Sequence, residues 1–174
     1  MRIFAIDPGT TQSGWVLYDD GQVVDCGVND NHDLLRWVRR RARSRRPRPG
    51  GVNDNHDLLR WVQHGQRADL LAIEMIASYG MPVGREVFDT VRWIGRFQQA
   101  WSDPEAVRLV FRQQVKLELC KNPRAKDANV RQALLDRIGP AGTKKKPGPT
   151  YGVKSHAWAA LGVAVTAAAT RLSA

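Results

Sequence analysis

MRIFAIDPGTTQSGWVLYDDGQVVDC, residues 1 to 26, opens on a short apolar run, Arg2 to Asp7, that is closed at once by Pro8-Gly9. An apolar run of this length stopped by a turn signal predicts a buried strand, and its last residue is an acid. Gly14 to Tyr18 and Gln22 to Cys26 follow, separated by Asp19-Asp20-Gly21, a spacing that predicts a hairpin. Three antiparallel strands therefore head the chain.

Further on, a DNHDLLRWV segment supplies a helix with an Asp or Asn cap, and Leu70 to Met75 (LLAIEM) reads as a second buried strand with Glu74 near its end. Glu86 to Trp101 has Val87, Val91, Ile94 and Trp101 at helical spacing, with Phe97 alongside, and Val107 to Phe111 reads as a fifth strand. Asp127 to Ile138 and Ser155 to Leu172 read as two more helices. A meander followed by alternating helices and strands predicts an α/β fold, a mixed five-stranded sheet with helices on both faces. The 174 residues suit a single domain.

The chain carries 27 Lys and Arg against 17 Asp and Glu, a net charge of +10, which calls for a polyanionic partner. No apolar run approaches the roughly 18 residues that a membrane span needs, and an acid interrupts the N-terminus where a signal peptide would be apolar, so a cytoplasmic protein with no membrane partner is expected. Cys26 and Cys120 have neither metal nor redox spacing and read as apolar fillers without a disulfide.

Much of the charge sits in an insertion. GVNDNHDLLRWV occurs at Gly27 to Val38 and again, unchanged, at Gly51 to Val62, with RRRARSRRPRPG between the copies. Two identical copies do not make a solenoid, which needs at least three related units. The segment from about 27 to 50 therefore reads as a tandem insertion, and removing it lowers the net charge from +10 to +4. The spacer, with seven arginines in twelve residues, reads as a solvated loop, or else as an arm in which Arg39, Arg40 and Arg41 touch DNA phosphates.

Two acids at the ends of buried strands, Asp7 and Glu74, are costly without compensation, and a divalent cation is the commonest one. The sequences around them, AIDPGTTQSGW and AIEMIASYGMPVGR, resemble the first and second motifs of the RuvC type of Holliday-junction resolvase, a branch of the RNase H-like nucleases. The likeness extends to Lys116 in RQQVKLELC and Lys126 in RAKDANVRQAL, spans nearly all of the chain outside the insertion, and is nearest to the short proteins of this type found in bacteriophages.

The resemblance implies an RNase H-like fold and a metal-dependent endonuclease that cuts four-way DNA junctions, leaving a 5′-phosphate. It implies Mg2+ or Mn2+, two ions per site, held by Asp7 and Glu74, with Lys116 and Lys126 binding the scissile phosphate. It also implies a homodimer joined through the helices after the Glu74 strand, with Phe88, Trp93 and Phe97 of Glu86 to Trp101 beyond the inward stripe. Within SHAWAALGVAV the pattern departs: His156 fills the first position of the last motif, but Ala159 stands where an acid is expected. His156 and Asp127 compete for that ligand position; Asp127 also reads as a helix N-cap, and His156 as a ligand or general base.

Tyr79, in the loop after Glu74, suits stacking on an unpaired base or plain packing. Lys144, Lys145 and Lys146 read as a solvated loop or a backbone contact on DNA. His32, His56 and His64 read as surface residues. Two other functions compete. DPGTT also resembles the first phosphate loop of actin-like and sugar-kinase ATPases, though those need about twice this length and a second phosphate motif. The absent acid alternatively suits a catalytically weakened junction-binding module.

Overall fold

The computed structural model describes residues 1–42, 68–78, 80 and 82–171. The second repeat copy, the spacer beyond residue 42 and Tyr79 lie outside the described residues. Five strands form one sheet: β1 (Arg2–Asp7), β2 (Gln12–Asp19), β3 (Gln22–Asp30), β4 (Leu70–Met75) and β5 (Arg108–Phe111). Their order is β3-β2-β1-β4-β5, with β1/β2 and β2/β3 antiparallel and β1/β4 and β4/β5 parallel. The helices are α1 (Asn31–Ala42), α2 (Arg85–Ala100), α3 (Arg112–Cys120), α4 (Asp127–Ile138) and α5 (Ala157–Arg171). A 3-10 turn at Pro104–Ala106 precedes β5. The mixed five-stranded sheet predicted from the sequence is present.

Strand periodicity divides the core in two. On β1, Ile3 and Ala5 face one side and Phe4 and Ile6 the other, all fully buried. Leu70 and Ala72 of β4 join the first side, and Leu71 and Ile73 the second. The first side is covered by α3, α4 and α5, the second by α1 and α2. A strand covered on both faces needs a continuous apolar run, which is why RIFAID and LLAIEM show no alternation. Burying each large side chain such as Phe4 or Ile73 contributes about 1.5–3 kcal/mol. The helix α5 packs on β1 and β2 and is apolar almost all round, with every residue from Ala160 to Ala167 buried, Gly162 in their midst. That glycine lets α3 approach, since a Cβ there would stand 2.8 Å from a Val115 methyl.

Several local expectations need correction. β3 runs on to Asp30, so the first repeat copy ends a strand as well as starting a helix. Arg39 to Ala42, read as spacer, form the last turn of α1. α3 was not expected: Val115, Leu117 and Leu119 alternate like a strand, yet only Val115 is buried and Leu117 is exposed. The inward stripe of α2 is Thr90, Ile94 and Phe97, continued by Trp101 just past its end. Val91 therefore faces outward and Phe97 lies in the core, leaving Phe88 as the exposed aromatic and Trp93 half-buried against Phe97 and His32. Both cysteines are free. No helix among the described residues is long and apolar enough to cross a membrane.

Candidate active site

The register Ile6↔Ile73 makes Asp7 and Glu74 neighbours at the C-terminal ends of adjacent parallel strands. By the two-residue period they follow Ala5 and Ala72, so both project to the face covered by α3 to α5. Their side chains are only 16% and 14% exposed, which puts two carboxylates in a setting of low polarity. Burial pushes the Asp7 carboxyl above its ordinary range, against the opposing effects of His156 and Arg112. Glu74 rises further, to about 7, through burial and then repulsion from Asp7, despite the opposing charges of Arg112 and Lys116.

The loop after Asp7 is held by the first residue of α1. Asn31 is fully buried; its Nδ2 donates to the Gly9 carbonyl at 2.9 Å, its backbone N–H donates to the Thr11 carbonyl at 2.9 Å, and its Oδ1 accepts from the Ser13 hydroxyl. Ser13 in turn accepts from the Gly9 N–H at 3.3 Å. Asn31 and Ser13 therefore fix the carbonyl and amide of a turn two residues from the acid. The sequence marked Asn31 only as a cap candidate, because its partners lie about twenty residues back in the chain.

His156 reaches Asp7 from the last turn before α5. Its Nδ1 lies 3.0 Å from Asp7 Oδ2, while the ring stays 63% exposed. Gly14, opposite Asp7 on β2, makes room for this approach: a Cβ there would stand 2.3 Å from the His156 carbonyl carbon. Ser155, just before, sits in the left-handed region at φ +43°, a conformation costing a non-glycine residue about 1 kcal/mol or more.

Opposite Glu74 stand two cations from α3. Arg112 Nη1 is 3.6 Å from Glu74 Oε2, and Arg112 Nη2 is 3.0 Å from Asp127 Oδ1. Lys116 Nζ is 3.7 Å from the same Asp127 oxygen. Burial tends to raise the Asp127 carboxyl, but the hydrogen bond and charge of Arg112, then Lys116, hold it below its ordinary value. Asp127 is not the N-cap of α4; Lys126 occupies that place, and Asp127 is the first helical residue. Arg112 was not among the sequence candidates, since nothing in RQQVKLELC says that its first residue faces a strand-end acid.

The structure thus gathers Asp7, Glu74, His156, Asp127, Lys116 and Arg112 around the ends of β1, β4 and β5. Lys126 is exposed beside Asp127, and Lys144 to Lys146 are exposed in a tight turn between Thr143 and Lys146. Arg39 lies elsewhere, lining a groove between α1 and α2 with Arg92 and Arg96; Arg40 is exposed in the same helical turn.

Among the described residues, no three His, Cys, Asp or Glu side chains converge closely enough to form a metal cage. The donor set nevertheless fits a hard divalent cation, because Mg2+ is usually held by one or two carboxylates with water and substrate phosphate completing its shell. Glu74 Oε2 is buried with no hydrogen-bond partner, an orphaned anionic oxygen beside a second buried carboxylate.

Comparison with solved structures matches the chain to RuvC of Thermus thermophilus. In complex with a Holliday junction substrate, that protein is similar at 20% identity and a TM-score of 0.65, over 99% of this chain and 96% of that chain. Another Thermus thermophilus RuvC structure matches at 19% identity and a TM-score of 0.61, over 99% and 97%. No protein-family model and no curated protein sequence matches. The chain has the RuvC fold, an RNase H-like mixed sheet.

Proposed function

We propose that this single-domain protein is a divalent-metal-dependent endonuclease acting on branched DNA, with the four-way junction as its substrate. The observation that carries this reading is the pair of buried strand-end carboxylates, Asp7 and Glu74, on one face, with an orphaned oxygen on Glu74 and cations alongside. The similar RuvC structure that holds a Holliday junction substrate supports the choice of DNA.

Asp7 and Glu74 are the residues that would hold Mg2+ or Mn2+. When bound there, the cation supplies Lewis-acid polarisation of a phosphoryl oxygen and activation of water for in-line attack. Hydrolysis adds water across the P–O3′ bond: the water oxygen bonds to phosphorus, P–O3′ breaks, the 3′ oxygen gains a proton, and the 5′-phosphate keeps the new oxygen. His156 is oriented by Asp7 through Nδ1, which leaves Nε2 at the exposed edge of the ring to exchange a proton with solvent or the reacting water. Lys116 and Lys126 attract the scissile phosphate, and Lys144 to Lys146 the flanking backbone. Tyr79 is assigned to stacking at the junction centre. A twofold dimer, with Phe88 of α2 at its interface, matches the two equivalent strands of the substrate, and the cytoplasm is the expected compartment.

Ala159, where the resemblance expects an acid, favours a second reading: a junction-binding module with weakened catalysis. Incubation of a synthetic four-way junction with Mg2+ separates the two. Nicking that EDTA stops supports the enzyme, and tight binding without nicking supports the module.

A further inference from the structure

Arg112 brings a fixed positive charge to Glu74, and its geometry is lopsided. Nη2 is anchored by Asp127 at 3.0 Å, whereas Nη1 faces Glu74 Oε2 at 3.6 Å, too long for a hydrogen bond. Both Nη1 and Oε2 are buried without a hydrogen-bond partner. A guanidinium so placed is held at one end and has a spare donor at the other, on the side where the two strand-end acids lie.

The charges say what the spare donor is for. Among the ion-paired groups, with the imidazole and the exposed Lys126 left aside, the carboxylates of Asp7, Glu74 and Asp127 outnumber Arg112 and Lys116 by one. One divalent ion turns that balance to plus one, the complement of a single phosphodiester, whereas two ions would turn it to plus three. The ligands agree with the charges: Ala159 offers no donor, and Asp127 is committed to Arg112 and Lys116. A guanidinium carries a permanent charge and a planar fork of donors suited to phosphate oxygens, and can therefore do at a developing phosphorane what a second cation would.

We propose that Arg112, anchored by Asp127, is the second cation of this site: it binds a non-bridging oxygen of the scissile phosphate through Nη1, while Asp7 and Glu74 hold a single divalent ion. This rests on the nuclease reading above and departs from a two-ion site. Asp127 is then an anchor for the arginine and not a metal ligand.

The test counts ions and reads rates separately. Mn2+ is titrated into the full-length chain, wild type and variants, by electron paramagnetic resonance, and nicking of a four-way junction is followed in parallel. The wild type should bind one Mn2+ per chain. Arg112→Gln should still bind one, as tightly or more tightly because a nearby positive charge is gone, while nicking falls about 100-fold. Arg112→Lys, which keeps the charge and loses the fork, guards against misfolding of the Gln variant; it should bind one Mn2+ and nick at an intermediate rate. Two Mn2+ per wild-type chain, or a wild-type nicking rate in Arg112→Gln, overturns the proposal while the nuclease reading stands. A wild-type chain that binds one Mn2+ and the junction but never nicks it overturns the nuclease reading, and with it the catalytic role given to Arg112.

Discussion

Replacing Glu74 by Gln should make the metal-free protein more stable, by an amount that grows as pH rises from about 4.5 to 7 and is constant above. Glu74 is 14% exposed, and burial followed by the charge of Asp7 lifts its carboxyl from 4.5 to about 7. Between those values the unfolded chain has released the proton and the folded chain still holds it, so the folded state binds more protons and stability falls as pH rises through that window. A shift of about 2.5 units corresponds to about 3 kcal/mol, lost progressively between about pH 4.5 and 7. Glutamine keeps the shape without the charge, so the variant lacks this loss: the two proteins should match near pH 4.5 and differ by about 3 kcal/mol at pH 8. For a chain of this size that is a rise in Tm of roughly 6–12 °C. Urea denaturation in EDTA from pH 4.5 to 8.5 reads the difference directly. Saturating Mg2+ should then stabilise the wild type at pH 8, by about 2.7 kcal/mol at a hundredfold excess over Kd, and leave Glu74→Gln unmoved. Parallel stability curves for the two proteins across the pH range would refute the reasoning, because they would mean that Glu74 is not a buried charge awaiting a cation.

Asp7→Asn should lose junction nicking while gel-shift affinity for the junction is kept; normal nicking would remove Asp7 from the site. Gly14→Ala pushes a Cβ against the His156 backbone, so it should cost about 1–3 kcal/mol in denaturation and slow nicking, and an unchanged Tm with an unchanged rate would contradict the packing. Deleting residues 27–50 joins Cys26 to Gly51 and puts Asn55 where Asn31 holds Gly9 and Ser13. The shortened chain should therefore fold and nick at the same position, with a flatter fall of affinity against salt, and loss of its circular-dichroism signal would show that both copies are needed. Phe88, 63% exposed on α2, is the better probe of dimerisation than the half-buried Trp93: Phe88→Glu should leave folding intact and shift sedimentation from dimer to monomer, whereas a wild type that already sediments at 19.5 kDa would exclude the dimer.

Sequence by itself determined the sheet and its two acids. RIFAID and LLAIEM are apolar without interruption because both their faces are covered, and a turn signal follows the first at once, so strand, boundary and strand-end acid are all encoded within a few residues. The Asp-Asp-Gly turn marked the hairpin for the same local reason. Tertiary structure alone decided the rest. Which face of α2 turns inward depends on where the sheet lies, and the two candidate stripes differ by a small rotation that composition does not resolve: Val87 and Val91 are apolar, yet Thr90 and Phe97 are the residues buried. Asp127 suited a cap by type but was claimed by Arg112, fifteen residues earlier in the chain, because a charge-assisted hydrogen bond to a guanidinium is stronger than one to a backbone amide. His156 meets Asp7 across 149 residues, and only because Gly14 leaves space beneath it. Arg112 is silent in the sequence: its significance is a distance to Glu74 and Asp127, set by how β5 passes directly into α3 beside β4, and distances between elements come from packing, not from the order of residues within them.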